Sequence, residues 1–251
     1  MLTVGSFNIQ HSQEIPTIIF LARQFDILFL QELPLSEDKI KQLEQLALRK
    51  DRVFISGETE EGTLNHTAIL LNPAKVTVLA TAELSQNSFH SDRFTDVRVR
   101  ITPGDHLLLT NVYLPTSNKA LQASILSEIR SSYVSLKSQH SDLNLIYGGD
   151  FNHSMEHEIR SESQARHSIS ALNSVAFTED VAVCDSQIAQ LPTNTPTKQG
   201  NSCRRLDRFY IPRGWRHRTK QYQILKPQHI TSTHHLVKVT FRLDRDANVL
   251  I

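Results

Sequence analysis

Six times along this chain an apolar run stops on one or two polar side chains. Ser6-Phe7-Asn8-Ile9-Gln10 closes a first β-rich run, Leu2–Phe7, and Leu30-Gln31-Glu32 closes the continuous apolar run Ile27–Leu30. Thr110-Asn111-Val112-Tyr113-Leu114-Pro115 and Gly148-Gly149-Asp150-Phe151-Asn152 end two more. Arg205-Leu206-Asp207-Arg208 and Ser232-Thr233-His234-His235 stand before two late ones. Strands buried on both faces need unbroken apolar sequence, and polar groups at their ends are where loops build sites on a rigid sheet.

Between these runs the periodicity switches. Ile15–Arg23 has Ile15, Ile18, Ile19 and Ala22 at helical spacing, with Pro16 near the first turn, where proline is tolerated. Ser36 stands as an N-cap for a helix carrying Glu37 and Asp38 in its first turn, Ile40, Leu43 and Ala47 on one face, and Arg49-Lys50 near its end. Asn118–Gln139 repeats Leu121, Ile125, Ile129 and Tyr133 four apart. Thr67–Leu71, Lys75–Thr81, Phe94–Ile101, His106–Leu114, Leu143–Tyr147, Asp207–Ile211 and Leu236–Leu243 read as strands, and Met155–Asn173 as helix or loop. Mixed strands with a few helices predict α/β layers, not a strictly alternating parallel fold. Phe29-Leu30-Gln31-Glu32 and Ile146-Tyr147-Gly148-Gly149-Asp150 form a faint duplication between the halves. No linker divides the 251 residues, so one domain over 1–251 is expected.

The polar stops, in order, resemble the motifs of the endonuclease/exonuclease/phosphatase superfamily, the fold of deoxyribonuclease I. Those motifs are S/W-x-N, Q-E, N-x-Y-x-P, G-D-F-N, R-L/I-D and a terminal S-D-H. The resemblance runs from Ser6 to His234 and implies a four-layered α/β sandwich, two packed mixed β-sheets flanked by helices. It also implies a phosphodiesterase assisted by Mg2+, with Mn2+ able to substitute. Phosphodiester hydrolysis gathers negative charge on a phosphoryl oxygen, which a hard cation with oxygen ligands offsets. Glu32 matches the family's principal metal ligand. Asp150 matches the group that positions or deprotonates the attacking water, and Asn152 the donor to the scissile phosphate. His234 oriented by Asp207 matches the imidazole–carboxylate pair, and Tyr113 and Asn8 complete the site. Register against Val237 and Val239 assigns the imidazole to His234 and not to His235. The family's S-D-H reads Ser232-Thr233-His234 here, which removes an acid from the metal's surroundings. His153 and His157 have helical ligand spacing without a third ligand, and are expected to face solvent.

Arg205-Leu206-Asp207-Arg208-Phe209-Tyr210 and the lead-in Pro192–Thr197 are similar to LINE-type (non-LTR) retrotransposon endonuclease domains. There a variable hairpin before R-L-D enters a DNA groove. Lys198, Gln199, Asn201, Arg204, Arg205 and Arg208 are the DNA-binding candidates on that resemblance. From Lys198 to Lys220 the chain carries eight Lys/Arg and a single acid, Asp207, the footprint of a phosphate-backbone binder. The reading is a DNA-nicking endonuclease, a monomer that a reverse transcriptase domain follows in a fuller protein. The alternatives are another hydrolase of the superfamily, such as an AP endonuclease-like repair nuclease or a phosphatase, or a weakened nucleic-acid-binding module. The tryptophan that AP endonucleases carry before R-L-D is absent; Cys203-Arg204 stands there. Two cysteines make no disulfide framework, and no apolar run approaches the roughly 20 residues of a membrane span. An intracellular protein, nuclear or cytoplasmic, is therefore expected.

Overall fold

The structure, a computed structural model, describes residues 1–57, 65–85, 88–101, 104–153, 164–184, 187, 191–195 and 203–243. The chain opens with β1 (Leu2–Asn8), α1 (Ile15–Ala22), β2 (Ile27–Gln31) and α2 (Glu37–Arg49). It continues through β3 (Val53–Ser56), β4 (Thr67–Leu71), β5 (Val76–Thr81), β6 (Phe94–Ile101) and β7 (Asp105–Tyr113). Then come α3 (Lys119–Gln139), β8 (Asn144–Asp150), α4 (Gln164–Ala176) and β9 (Thr178–Asp180). The last strands are β10 (Asp207–Pro212), β11 (Thr219–Leu225) and β12 (Leu236–Phe241).

These strands form two six-stranded mixed sheets, β11-β12-β1-β2-β4-β3 and β5-β6-β7-β8-β10-β9. The inner faces meet in one apolar layer, where Val4, Ile27, Phe29 and Ile69 of the first sheet face Val97, Leu109, Ile146 and Phe209 of the second. Phe29 and Phe209 touch across it with ring centroids 5.5 Å apart. The outer face of the first sheet is covered by α1 and α2, through Ile15, Ile18, Ile19 and Leu43. The outer face of the second is covered by α3 and α4, through Ile125, Ile129, Tyr133 and Leu172. This is the expected helix–sheet–sheet–helix sandwich, and its burial on both strand faces explains why β2 and β4 are apolar throughout.

Several boundaries differ from expectation. β8 does not stop at Tyr147 but runs through Gly148 and Gly149 to Asp150. Gly149 has φ +136°, and a Cβ there would collide with the Val112 carbonyl of β7. Only glycine lets β8 lie that close and deliver Asp150 to the sheet's end. The short edge strands β3 and β9 and the polar edge strand β11 escaped the sequence reading. β11 starts where the basic run ends, and all of its residues but Tyr222 are partly or fully exposed. Asn118 caps α3 by accepting from the Leu121 amide at 3.0 Å, whereas Ser36 makes no side-chain cap bond to α2. Of the expected Met155–Asn173 element, residues 155–163 lie outside the described residues, and α4 covers the rest.

Candidate active site

The polar stops converge on one end of the seam between the sheets. Parallel pairing brings Asn8 of β1 beside Gln31 of β2, and Tyr113 of β7 beside Asp150 of β8. Antiparallel pairing sets Asp207 of β10 directly opposite Asp150. The Asn8 amide then spans the seam. Its Nδ2 donates to Glu32 Oε1 at 2.8 Å and to Asp150 Oδ2 at 2.9 Å, so both of its protons are used. Its Oδ1 accepts from the Gln10 amide and its backbone carbonyl from the Ser232 hydroxyl.

His234 stands just before β12 and reaches over to the second sheet. Its Nδ1 lies 2.9 Å from Asp207 Oδ2 and 3.2 Å from Oδ1, and its Nε2 lies 3.8 Å from Asp150 Oδ2. A carboxylate accepts only, so Nδ1 carries the proton and Nε2 is the face turned to the site. Asp150 and Asp207 have no exposed surface and His234 has 5%. The Thr193 hydroxyl accepts from the Leu206 and Asp207 amides, and the Ser232 hydroxyl from the His234 amide, which fixes both backbones. His235 turns away; its Nε2 lies 3.3 Å from Thr195 Oγ1.

Burial, then the charge of Asp207, raises the Asp150 carboxyl to about 7, with His234 opposing. Burial depresses the His234 imidazole, but Asp207, with Asp150 and Glu32, outweighs it and raises it to about 9. Tyr113 is pushed well above the ordinary phenol range by burial and by the charges of Glu32 and Asp150, so it keeps its proton. Its ring faces His66 at 5.6 Å, and the Arg93 guanidinium lies 5.5 Å from its centroid. Asn152, with φ 46°, gives its backbone amide to Asp150 Oδ1 and one side-chain proton to the Leu114 carbonyl.

The donor set fits a hard divalent cation. Glu32, Asp150 and Asp207 gather three carboxylates around His234. Donor atoms of Asp150, Asp207 and His234 lie within 4.8 Å of one another. Asp207 and His234 are committed to each other, so Glu32 and Asp150 are the oxygen donors available. Gln10 closes on Thr233 from both sides: its Nε2 donates to the Thr233 hydroxyl at 2.9 Å, and its Oε1 accepts from the Thr233 amide at 2.7 Å.

The DNA-binding candidates divide. Arg205 and Arg208 are buried, not on the surface. Arg205 grips Asp180 with both guanidinium ends, at 2.6 and 3.0 Å, and Arg208 reaches the same carboxylate at 3.1 Å. Asp180 is drawn below the usual carboxylate range, Arg205 and Arg208 outweighing its burial. Buried cations demand such a partner, so these two arginines brace β10 and are not offered to a phosphate. Arg204 is exposed and forms an antiparallel bridge with Asn194, which also bridges His234. Lys198, Gln199 and Asn201 lie outside the described residues. His153 is buried and not solvent-facing; His157 lies outside the described residues. Sequence reasoning missed Thr193 and Asp180, and a buried link in which Gln31 donates to Ser6 and to Asn111, while Asn111 donates to the Leu30 and Ala68 carbonyls.

The family model for the Endonuclease/Exonuclease/phosphatase family matches residues 5–234, and the chain belongs to that family. It is a family of nucleases and phosphatases. No curated protein matches the sequence. The endonuclease domain of TRAS1, a telomere-specific non-LTR retrotransposon, superposes with a TM-score of 0.71 at 14% identity, covering 98% of this chain and 100% of that one. An AP endonuclease from Archaeoglobus fulgidus gives 0.74 at 16%, covering 97% and 100%. A mannosyl-6-phosphatase from Bacteroides thetaiotaomicron gives 0.72 at 19%, covering 97% and 100%. Among the described residues no helix is long and apolar enough to cross a membrane.

Proposed function

We propose that this chain is a divalent-metal-dependent DNA endonuclease that nicks one strand, serving as the target-site-nicking domain of a LINE-type element. The observation that carries the hydrolytic part is the line Asp207–His234–Asp150 with Asn8 tying Asp150 to Glu32. The full-length similarity to the TRAS1 endonuclease domain, and the exposed Arg204 that Asn194 links to His234, support a DNA substrate. On this reading the protein acts as a single domain and a monomer, with a reverse transcriptase domain in the fuller protein.

Asp207 fixes the imidazole, and the cationic ring turns Nε2 toward the phosphoryl oxygen that gains charge. Asp150 is placed to take the proton of an attacking water. The remaining Asn152 proton and the Tyr113 phenol donate to phosphate oxygens. Glu32 and Asp150 would hold a magnesium or manganese ion, which when bound supplies charge neutralisation at the phosphate. A supercoiled-plasmid assay tests this. Open circles should form with magnesium, Asp150→Ala and His234→Ala should each lose at least about 100-fold, and equal cutting after chelation would overturn the proposal.

A second reading has one observation in its favour: burial of Arg205 and Arg208 removes two cations from the expected DNA face. A phosphatase of small phosphomonoesters would release phosphate without nicking plasmid. A non-catalytic module would bind DNA and turn nothing over.

A further inference from the structure

His11 stands beside Glu32 and belongs to none of the motifs that carry the site. Two hydrogen bonds fix it there. Its backbone amide donates to the Glu32 carbonyl at 2.8 Å, and its ring Nδ1 lies 2.7 Å from the Leu33 carbonyl. A carbonyl can only accept, so Nδ1 carries the ring proton, and the neutral imidazole keeps its lone pair on Nε2. That nitrogen lies 3.5 Å from Glu32 Oε2, the carboxylate oxygen that Asn8 leaves unused.

Two electron-pair donors facing each other at this separation call for something positive between or beside them. Ligand atoms each about 2.1 Å from one ion lie about 3.0 Å apart in octahedral geometry and about 3.4 Å apart in tetrahedral geometry. A ring whose remote N–H is held by a backbone carbonyl is also the usual way a metal-bound histidine is oriented. The two segments that meet here are strained: Gln10, His11 and Glu32 have φ of 48°, 57° and 51°. Non-glycine residues in the left-handed region cost free energy and persist where the surroundings hold them, often at ligand sites. The His11 side chain is 35% exposed and that of Glu32 17%, so an ion can reach both.

We propose that His11 Nε2 and Glu32 Oε2 bind the divalent cation together, giving the site an imidazole ligand and a preference for nitrogen-accepting ions such as Mn2+ or Co2+ over Mg2+. This rests on the metal-dependent hydrolase proposed above. The competing arrangement is a proton in place of the metal, an imidazolium paired with the carboxylate.

Mn2+ titrated into the whole protein distinguishes them, with affinity followed by calorimetry and the ligand nitrogen by pulsed electron paramagnetic resonance. The wild type should show the 14N coupling of a bound imidazole. His11→Gln should lose that coupling and bind Mn2+ on the order of tenfold more weakly, while Mg2+ affinity changes by less than about threefold. The glutamine amide can still reach the Leu33 carbonyl, and the wild-type spectrum decides the matter even if this variant misfolds. His234→Gln should keep the coupling. No 14N coupling in the wild type, or coupling that survives His11→Gln, overturns the imidazole ligand while Glu32-dependent Mn2+ binding leaves the hydrolase reading standing. Mn2+ binding unchanged in Glu32→Gln overturns both.

Discussion

In each sheet an antiparallel pair leads into a central parallel pair, and two further antiparallel strands follow. β12, β1, β2 and β4 of the first sheet thus correspond to β6, β7, β8 and β10 of the second. The parallel pairs end in register, Asn8 beside Gln31 and Tyr113 beside Asp150. Their antiparallel neighbours begin in register too, Thr67 opposite Gln31 and Asp207 opposite Asp150. The first sheet fills these positions with neutral amides and a hydroxyl, which bond across the seam. The second fills them with a phenol and two carboxylates. The faint duplication in the sequence is therefore a real repeat of backbone plan, but at these aligned positions only one copy is charged. A shared scaffold supplies equivalent strand ends, and the residue placed at each decides whether that end does chemistry or joinery.

Matched substitutions can break this contrast. Asp207→Asn should lower single-turnover cleavage about a thousandfold with the fold intact, because the imidazole loses the charge that holds it protonated and oriented. Thr67→Val, its counterpart, should leave cleavage within a few-fold. It should cost about 1–2 kcal/mol in urea unfolding, since Thr67 bonds both Asn65 and Thr95 in the interior. Comparable losses of cleavage in both would mean the halves are not functionally distinct.

The charged half also needs internal bracing. Asp180→Asn should destabilise the protein by about 3–5 kcal/mol, because it leaves Arg205 and Arg208 buried with no counter-charge. Its native-state affinity for DNA should not change; a change with stability preserved would place those arginines on the binding face after all. The smallest effect is expected at Thr233, on the neutral side of the seam. Thr233→Asp should tighten apparent magnesium binding by only about threefold, measured as half-saturation of nicking, because the Gln10 and Asn194 amides already donate to this position and would partly neutralise the new carboxylate. A gain of tenfold or more would show that Gln10 does not stand in for the family's acid.

The legible parts of the molecule were those that local chemistry dictates. Apolar runs marked β2, β4, β7 and β8, fourfold spacing marked α3, and the polar stops marked where the site assembles. Register against Val237 and Val239 separated His234 from His235, and the geometry puts His234 on Asp207. What escaped depends on partners distant in sequence. Arg205 and Arg208 look like exposed cations until Asp180, on another strand, is seen beside them. Half of the Asn152 donor capacity goes to a carbonyl 38 residues away. Edge strands such as β11 escape because one-sided burial leaves them polar. His11 carries no periodicity at all; only the turn that folds it back onto Glu32 gives it a neighbour.

The Asn8 amide holds one carboxylate from each sheet, so the site doubles as a caliper of how the two sheets are aligned. Sliding one sheet along the other by about an ångström would stretch both of its hydrogen bonds beyond useful length together. Mutations in the apolar layer between the sheets, far from any substrate, should therefore surface first as lost turnover and only later as lost fold.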